Sequence, residues 1–293
     1  MSASGPESLT ATAERLARQD QRHIIDVLIH ERAPGLLGHP LLGPLGRSLL
    51  YPLLGYRDAV RVADAIAPLG GVAAMRHLSR ELTLDVTVEG GECVPGEGSV
   101  LVVSNHPTGI ADGVVAFDAF ASLRPDLMMF ANRDAIRIAP GFADLMIPVE
   151  WVRGRRTRAR TRETLEGTRR AFRERRALLM FPSGRLAFMD GGRLRERPWL
   201  STAIGLARRH GVPILPMHIK GRNSRLFYLF SRVSDQLRDI TLFHELLNKR
   251  NSSYRVRFAE PIATEQLVGD PERLTARLQA HVEGGLTIPF DRS

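Results

Sequence analysis

His106 and Asp112 are the residues in this chain whose types and spacing could do chemistry. They set one imidazole and one carboxylate within Ser104-Asn105-His106-Pro107-Thr108-Gly109-Ile110-Ala111-Asp112-Gly113. An imidazole can take up a proton near neutral pH, and a carboxylate bonded to it fixes the tautomer and favours the imidazolium that forms. That is a general-base arrangement. Before it, Ser99 to Val103 reads as a short apolar strand, and after it Val114 to Leu123 reads as the start of a helix. His106 is therefore expected at a strand's C-terminal end, the edge at which α/β sheets bind ligands. The pair lies six residues apart, and on a continuous helix that spacing points the two side chains different ways. They meet only if the chain turns between them, and Gly109 supplies the freedom for the turn. The competing reading has His106 capping a loop and Asp112 capping a helix.

The elements that must hold such a pair follow from the punctuation of the chain. Leu82 to Val88 alternates like a strand, and further apolar strands are expected at Leu127 to Phe130, Met146 to Val149, Ala177 to Phe181, Ile214 to Ile219 and Tyr254 to Phe258. Helical stretches separate them, which predicts an α/β domain with a mixed, mainly parallel sheet flanked by helices. Upstream, Glu7 to Ala33 reads as a helix, and Asp58 to Arg80 as a helical segment broken near Pro68-Leu69-Gly70-Gly71. The last helix is expected at about Glu265 to Glu283. Residues 1–80 are thus expected to form an N-terminal helical element, and residues 81–293 the domain that carries the chemistry.

At the level of motifs the chain resembles the glycerolipid acyltransferases related to bacterial 1-acylglycerol-3-phosphate acyltransferase. Asn105-His106 followed by Asp112 matches that family's first motif, Asn-His-x4-Asp, with one extra residue in the gap. The wider spacing, with His-Pro and Asp-Gly, is similar to the haemolysin-like branch that includes lyso-ornithine lipid acyltransferases. Phe181-Pro182-Ser183-Gly184-Arg185 resembles the motif Phe-Pro-Glu-Gly-Thr-Arg, Val212-Pro213-Ile214-Leu215-Pro216 resembles Val-Pro-Ile-x-Pro, and Met146 to Arg153 occupies the place of the second motif. The resemblance covers roughly residues 80 to 260. Ser183 stands where the family has Glu, and Arg185 stands one position before the family's arginine.

What the resemblance implies is an O-acyltransferase that moves a fatty acyl chain from an acyl thioester to a lysophospholipid hydroxyl, with no covalent enzyme intermediate. The acceptor is 1-acylglycerol-3-phosphate-like or, in the second reading, lyso-ornithine lipid. His106 removes the hydroxyl proton and Asp112 orients it. Backbone N–H groups around Ser183-Gly184 are candidate oxyanion donors. Arg133, Arg153 and Arg185 are candidate phosphate holders, and Asn105 and Pro182 complete the expected substrate-binding set. No metal or cofactor is required, because the thioester is already activated. The co-substrate is acyl-CoA or an acyl carrier protein thioester. A reading from another class also stands: a membrane-binding adaptor that kept the fold and lost the chemistry.

Composition bounds the rest. With a single cysteine, Cys93, among 293 residues, no internal disulfide can form, and a reducing compartment fits. The first 30 residues have no continuous apolar core of the signal-peptide kind. No run of about 18 apolar residues occurs, so no bilayer-spanning helix is expected. Gly35 to Tyr56 is Leu-rich with repeated Gly and Pro, which suits short apolar turns in a membrane interface or, alternatively, a buried connection.

The net charge of +9 is almost all arginine, since only Lys220 and Lys249 are lysines. From Arg153 to Arg176 eleven arginines face Glu163, Glu166 and Glu174. This segment reads as a loop and a helix with the narrow apolar stripe Thr161, Leu165, Thr168 and Phe172. Such a face suits an anionic membrane surface, the phosphates of coenzyme A, an acidic carrier protein, or solvent alone. Nucleic acid is not expected as a partner, because no recognisable module accompanies the charge. Gly-x-Ser-x-Gly, His-Glu-x-x-His, Walker and dinucleotide motifs are all missing. The expected location is peripheral, on the cytoplasmic side of the inner membrane of a bacterium.

Overall fold

A computed structural model describes residues 22–38, 42–150, 154 and 156–290. Its centre is a seven-stranded sheet built from β1 (Asp85–Glu89), β2 (Val100–Ser104), β3 (Met128–Asn132), β4 (Met146–Val149), β5 (Ala177–Met180), β8 (Ile214–Lys220) and β9 (Ser253–Phe258). The spatial order is β1-β9-β8-β2-β5-β3-β4. Neighbours run parallel except β8 and β9, so the sheet is mixed and mainly parallel, as the sequence pattern predicts. A separate two-stranded hairpin, β6 (Phe188–Asp190) and β7 (Arg193–Arg195), was not anticipated.

The strands read as unbroken apolar runs because both faces of the sheet are covered. On β2, Val100 and Val102 join one apolar core while Leu101 and Val103 join another. The first core is closed by α1 (Ile24–Arg32), α4 (Tyr56–Ile66), α5 (Gly71–Leu82) and α6 (Ile110–Ala121), through side chains such as Leu28, Val62, Met75 and Phe120. The second is closed by α8 (Arg158–Arg173), α9 (Thr202–His210) and α13 (Pro271–Glu283), through Phe172, Ile204 and Leu278. The helices before residue 81 therefore share one core with the sheet. Short helices complete the layers: α2 (Pro34–Leu37), α7 (Arg133–Ile138), α10 (Arg225–Val233), α11 (Asp235–Ile240) and α12 (Leu242–Leu247).

The Leu-rich stretch is more regular than its breakers suggest. Leu42–Leu53 forms one twelve-residue helix, α3. Pro44 lies in its first turn, where backbone N–H groups have no helical partner, and Pro52 lies in its last. Leu37 and Leu54 are buried, and Leu50 and Tyr51 pack on the same core beside Ile29, Ile240 and Phe243. Leu49 and Leu53 instead point outward, 63% and 53% exposed. The stretch is thus divided between core and surface.

Two other expectations are corrected. On α8 the stripe runs through Thr164, Gly167, Thr168, Ala171 and Phe172, whereas Thr161 and Leu165 are exposed. The cause is the close approach to β4: a Cβ on Gly167 would sit 3.1 Å from Ile147 Cγ2, and Thr164 donates to the Pro148 carbonyl at 2.7 Å. The last helix begins at Pro271, capped by Asp270, and not near Glu265. Of the expected N-terminal helix, Ile24–Arg32 is described and Glu7 to Gln21 lies outside the described residues.

Candidate active site

Strand β2 delivers Ser104, Asn105 and His106 to the sheet's C-terminal edge, between β8 and β5. Asn105 then fastens the strand end. Its amide donates to the Ile219 carbonyl at 2.9 Å and accepts the Ile219 N–H at 2.8 Å, so both polar atoms of this predicted substrate contact are used in a strap to β8.

The turn between the pair is made at Gly109, whose φ of 84° and ψ of −123° lie in a region that favours glycine. A Cβ there would also stand 2.9 Å from Leu186 Cδ2. The turn starts α6 at Ile110, four residues before its expected start, and places Asp112 in the first helical turn. Asp112 is fully buried at 0% exposure. Its Oδ2 accepts the Thr108 N–H at 2.9 Å, the Gly109 N–H at 2.8 Å and a bond from His106 Nδ1 at 2.9 Å. The Thr108 hydroxyl donates to Oδ1, and Tyr254 OH donates to that hydroxyl at 3.4 Å. Asp112 thus caps the helix and also binds the imidazole.

These contacts assign the tautomer. Oδ2 faces two backbone donors and is an acceptor, so the ring nitrogen beside it, Nδ1, carries the proton. Nε2 is left with its lone pair. The ring lies on Phe181 with centroids 4.1 Å apart and an interplanar angle of 17°, and the side chain is 20% exposed. A fixed imidazole with a free basic nitrogen at a partly open edge can remove a proton from a bound hydroxyl.

A second carboxylate holds the same loop, and sequence reasoning missed it. The β6–β7 hairpin folds back over His106, and the Ala187 N–H donates to the His106 carbonyl at 3.0 Å. The residue after β7 is Glu196, which is nearly fully buried. One of its oxygens accepts the His106 backbone N–H, and the other accepts the Trp199 indole N–H at 2.6 Å. Burial pushes the Glu196 carboxyl up to about 7, and these two donors only partly offset that rise. The sole signal in the sequence is Gly191-Gly192, which marks the hairpin turn; both glycines have positive φ.

The remaining predicted site residues fall in different places. Pro182 and Ser183 are buried in the loop after β5, where the Pro182 carbonyl accepts the Leu200 N–H at 3.1 Å and Ser183 Oγ donates to the Arg185 carbonyl at 2.7 Å. Gly184 has φ 59°, and its N–H is committed to the Phe181 carbonyl at 3.0 Å, which leaves the Ser183 N–H as the donor without a partner among the described residues. Arg185 is exposed, with its guanidinium unpaired among the described residues. Arg133 starts α7 at the end of β3, two strands from β2, where Glu163 of α8 pairs with it. Arg153 lies outside the described residues. Among the described residues no cluster of His, Cys, Asp and Glu could hold a metal. His218 donates through Nδ1–H to the Val282 carbonyl at 2.8 Å, and burial lowers its pKa.

Residues 85–220 match the acyltransferase family model. Over 198 residues the chain is 25% identical to a lyso-glycine lipid O-acyltransferase of Phocaeicola vulgatus, covering 66% of this chain and 69% of that protein. It is 26% identical to a lyso-glycine lipid O-acyltransferase of Bacteroides thetaiotaomicron, covering 66% and 71%. The crystal structure of the 1-acyl-sn-glycerophosphate acyltransferase PlsC from Thermotoga maritima superposes with a TM-score of 0.47 at 16% identity, covering 90% of this chain and 96% of that one. Residues 85–220 thus carry an acyltransferase domain, and the chain is an enzyme that transfers acyl groups.

Proposed function

We propose that this enzyme acylates the hydroxyl of a lysolipid, with His106 as general base and Asp112 as the group that fixes its tautomer. The observation that carries the reading is the bond from His106 Nδ1 to a buried Asp112 carboxylate already holding the Thr108 and Gly109 N–H groups. In the reaction the acceptor oxygen attacks the thioester carbonyl while Nε2 takes the hydroxyl proton. The C–O bond forms, the C–S bond breaks, and the proton passes from Nε2 to the departing sulfur. Asp112 stabilises the imidazolium between those two transfers. The Ser183 N–H is the candidate donor to the oxyanion, and Gly184 shapes the loop that presents it.

The names of the two relatives favour an amino-acid lysolipid as acceptor over 1-acylglycerol-3-phosphate. Ser183 in place of the expected Glu, with the exposed Arg185 two residues on, supports a headgroup site different from that of the phosphate acceptor. The donor is acyl-CoA or an acyl carrier protein thioester, and the enzyme works at an anionic membrane surface as a peripheral protein. An adaptor without chemistry has no support from a His106–Asp112 pair that is fully assembled. The test is transfer of a labelled acyl chain by purified enzyme to lyso-glycine lipid, lyso-ornithine lipid and 1-acylglycerol-3-phosphate, with each donor in turn. Product on either amino-acid lysolipid supports the reading. Product on the phosphate acceptor alone refutes the acceptor choice, and product on none refutes the function.

A further inference from the structure

Helix α10 carries a face that neither the core nor the proposed reaction uses. Its nine residues place Arg225, Leu229, Arg232 and Val233 at i, i+4, i+7 and i+8, hence on one side. Leu229 is 57% exposed and Val233 69%, while Phe227 on the other side is buried and Leu226 packs on the core. Arg225 and Arg232 are exposed, as is Arg222 just before the helix, and none of the three makes an ion pair with a described residue. Two large aliphatic side chains beside unpaired guanidinium groups are the composition of a helix lying in a bilayer interface.

The helix is also fixed close to the candidate base. It follows β8, whose end is strapped to Asn105. A Cβ on Gly221 would stand 3.1 Å from Thr108 Cγ2, so the connection packs on the same turn that holds Asp112. Ser224 caps the helix and bonds through its N–H to the buried Glu245 at 2.9 Å, and the Asn223 N–H donates to Tyr228 OH at 3.1 Å. The exposed face is therefore carried on a rigid element at the catalytic edge of the sheet.

We propose that α10 lies in the interface of an anionic bilayer, with Leu229 and Val233 among the acyl chains and Arg225 and Arg232 on lipid phosphates. A lipid acceptor then reaches His106 without leaving the membrane. The purpose given to this surface rests on the lysolipid reading, although its residues do not. A second copy of the chain is the less favourable occupant, because a self-complementary contact would set these unpaired arginines against one another.

Flotation of the purified chain with phosphatidylcholine vesicles, with and without phosphatidylglycerol, tests the proposal. The wild type is expected to float with the anionic vesicles. Leu229→Ser with Val233→Ser is expected to weaken partitioning roughly 100-fold, from the apolar area withdrawn, and Arg225→Gln with Arg232→Gln roughly 30-fold. Circular dichroism and transfer to a detergent-dispersed acceptor are expected to stay unchanged. Variants that float like the wild type overturn the proposal, and a simultaneous loss with Leu49→Ser and Leu53→Ser would move the contact to α3. A concentration-dependent dimer that Leu229→Ser abolishes assigns the face to a second copy and also overturns it. A wild type that floats but transfers nothing defeats the activity reading and leaves this surface standing.

Discussion

Glu196→Gln is expected to remove a pH-dependent loss of stability that burial of this carboxylate imposes. Its carboxyl titrates at about 7 in the folded chain against an ordinary 4.5, chiefly through desolvation. Between those values the folded chain keeps a proton that the unfolded chain has released. Stability therefore falls as pH rises from about 4.5 to about 7 and is level above. The rise from 4.5 to about 7 corresponds to about 3 kcal/mol. In the Gln variant one N–H of the new amide faces the His106 or Trp199 donor, which costs about 1–3 kcal/mol at every pH. That offset cancels when one pH is compared with another. Urea unfolding of both proteins at pH 4.5 and pH 8 checks the expectation: the stability of the wild type relative to the variant should drop by about 3 kcal/mol between the two. A relative stability constant within about 0.5 kcal/mol would show that Glu196 keeps its solvation, and the reasoning from burial would fail.

Gly109→Ala is expected to lower turnover at least tenfold, because a Cβ at 2.9 Å from Leu186 Cδ2 and a backbone at φ 84° force the turn that brings Asp112 to His106 to shift; steady-state kinetics of a variant with wild-type circular dichroism reads this, and an unchanged kcat contradicts it. Arg185→Ala should raise the KM for a headgroup bearing an anion while sparing one without, and equal losses on both acceptors would show that Arg185 supports the loop only.

The sheet was legible because its strands are short apolar runs bounded by turn residues, and a strand covered on both faces has no alternation to confuse it. The His106–Asp112 pair was legible for a different reason. Glycine at position 109 is the one residue that lets two side chains six apart converge, and the sequence prints it. The helix start was missed by four residues because Ile110 and Ala111 look like loop continuation until Asp112 is seen to cap the Gly109 N–H. The α8 stripe shifted because Gly167 and Thr164 make the close contacts, and size rather than hydrophobicity decides there. Glu196 had no local signal. It lies ninety residues from His106, amid arginines, and only the fold-back of the hairpin at Gly191-Gly192 brings it under the loop.

The central claim is that His106 is the base for transfer of an acyl group to a lysolipid hydroxyl. Its most direct test is single-turnover transfer from a radiolabelled acyl thioester by wild type and His106→Ala, with lyso-glycine lipid as acceptor and acyl-enzyme trapping in the same samples. The account predicts a loss of roughly 10²–10⁴-fold in the chemical step with little change in binding of either substrate, wild-type unfolding behaviour, and no trapped acyl-enzyme. Transfer by His106→Ala at the wild-type rate, or an acyl group covalently held by the wild type, would contradict it.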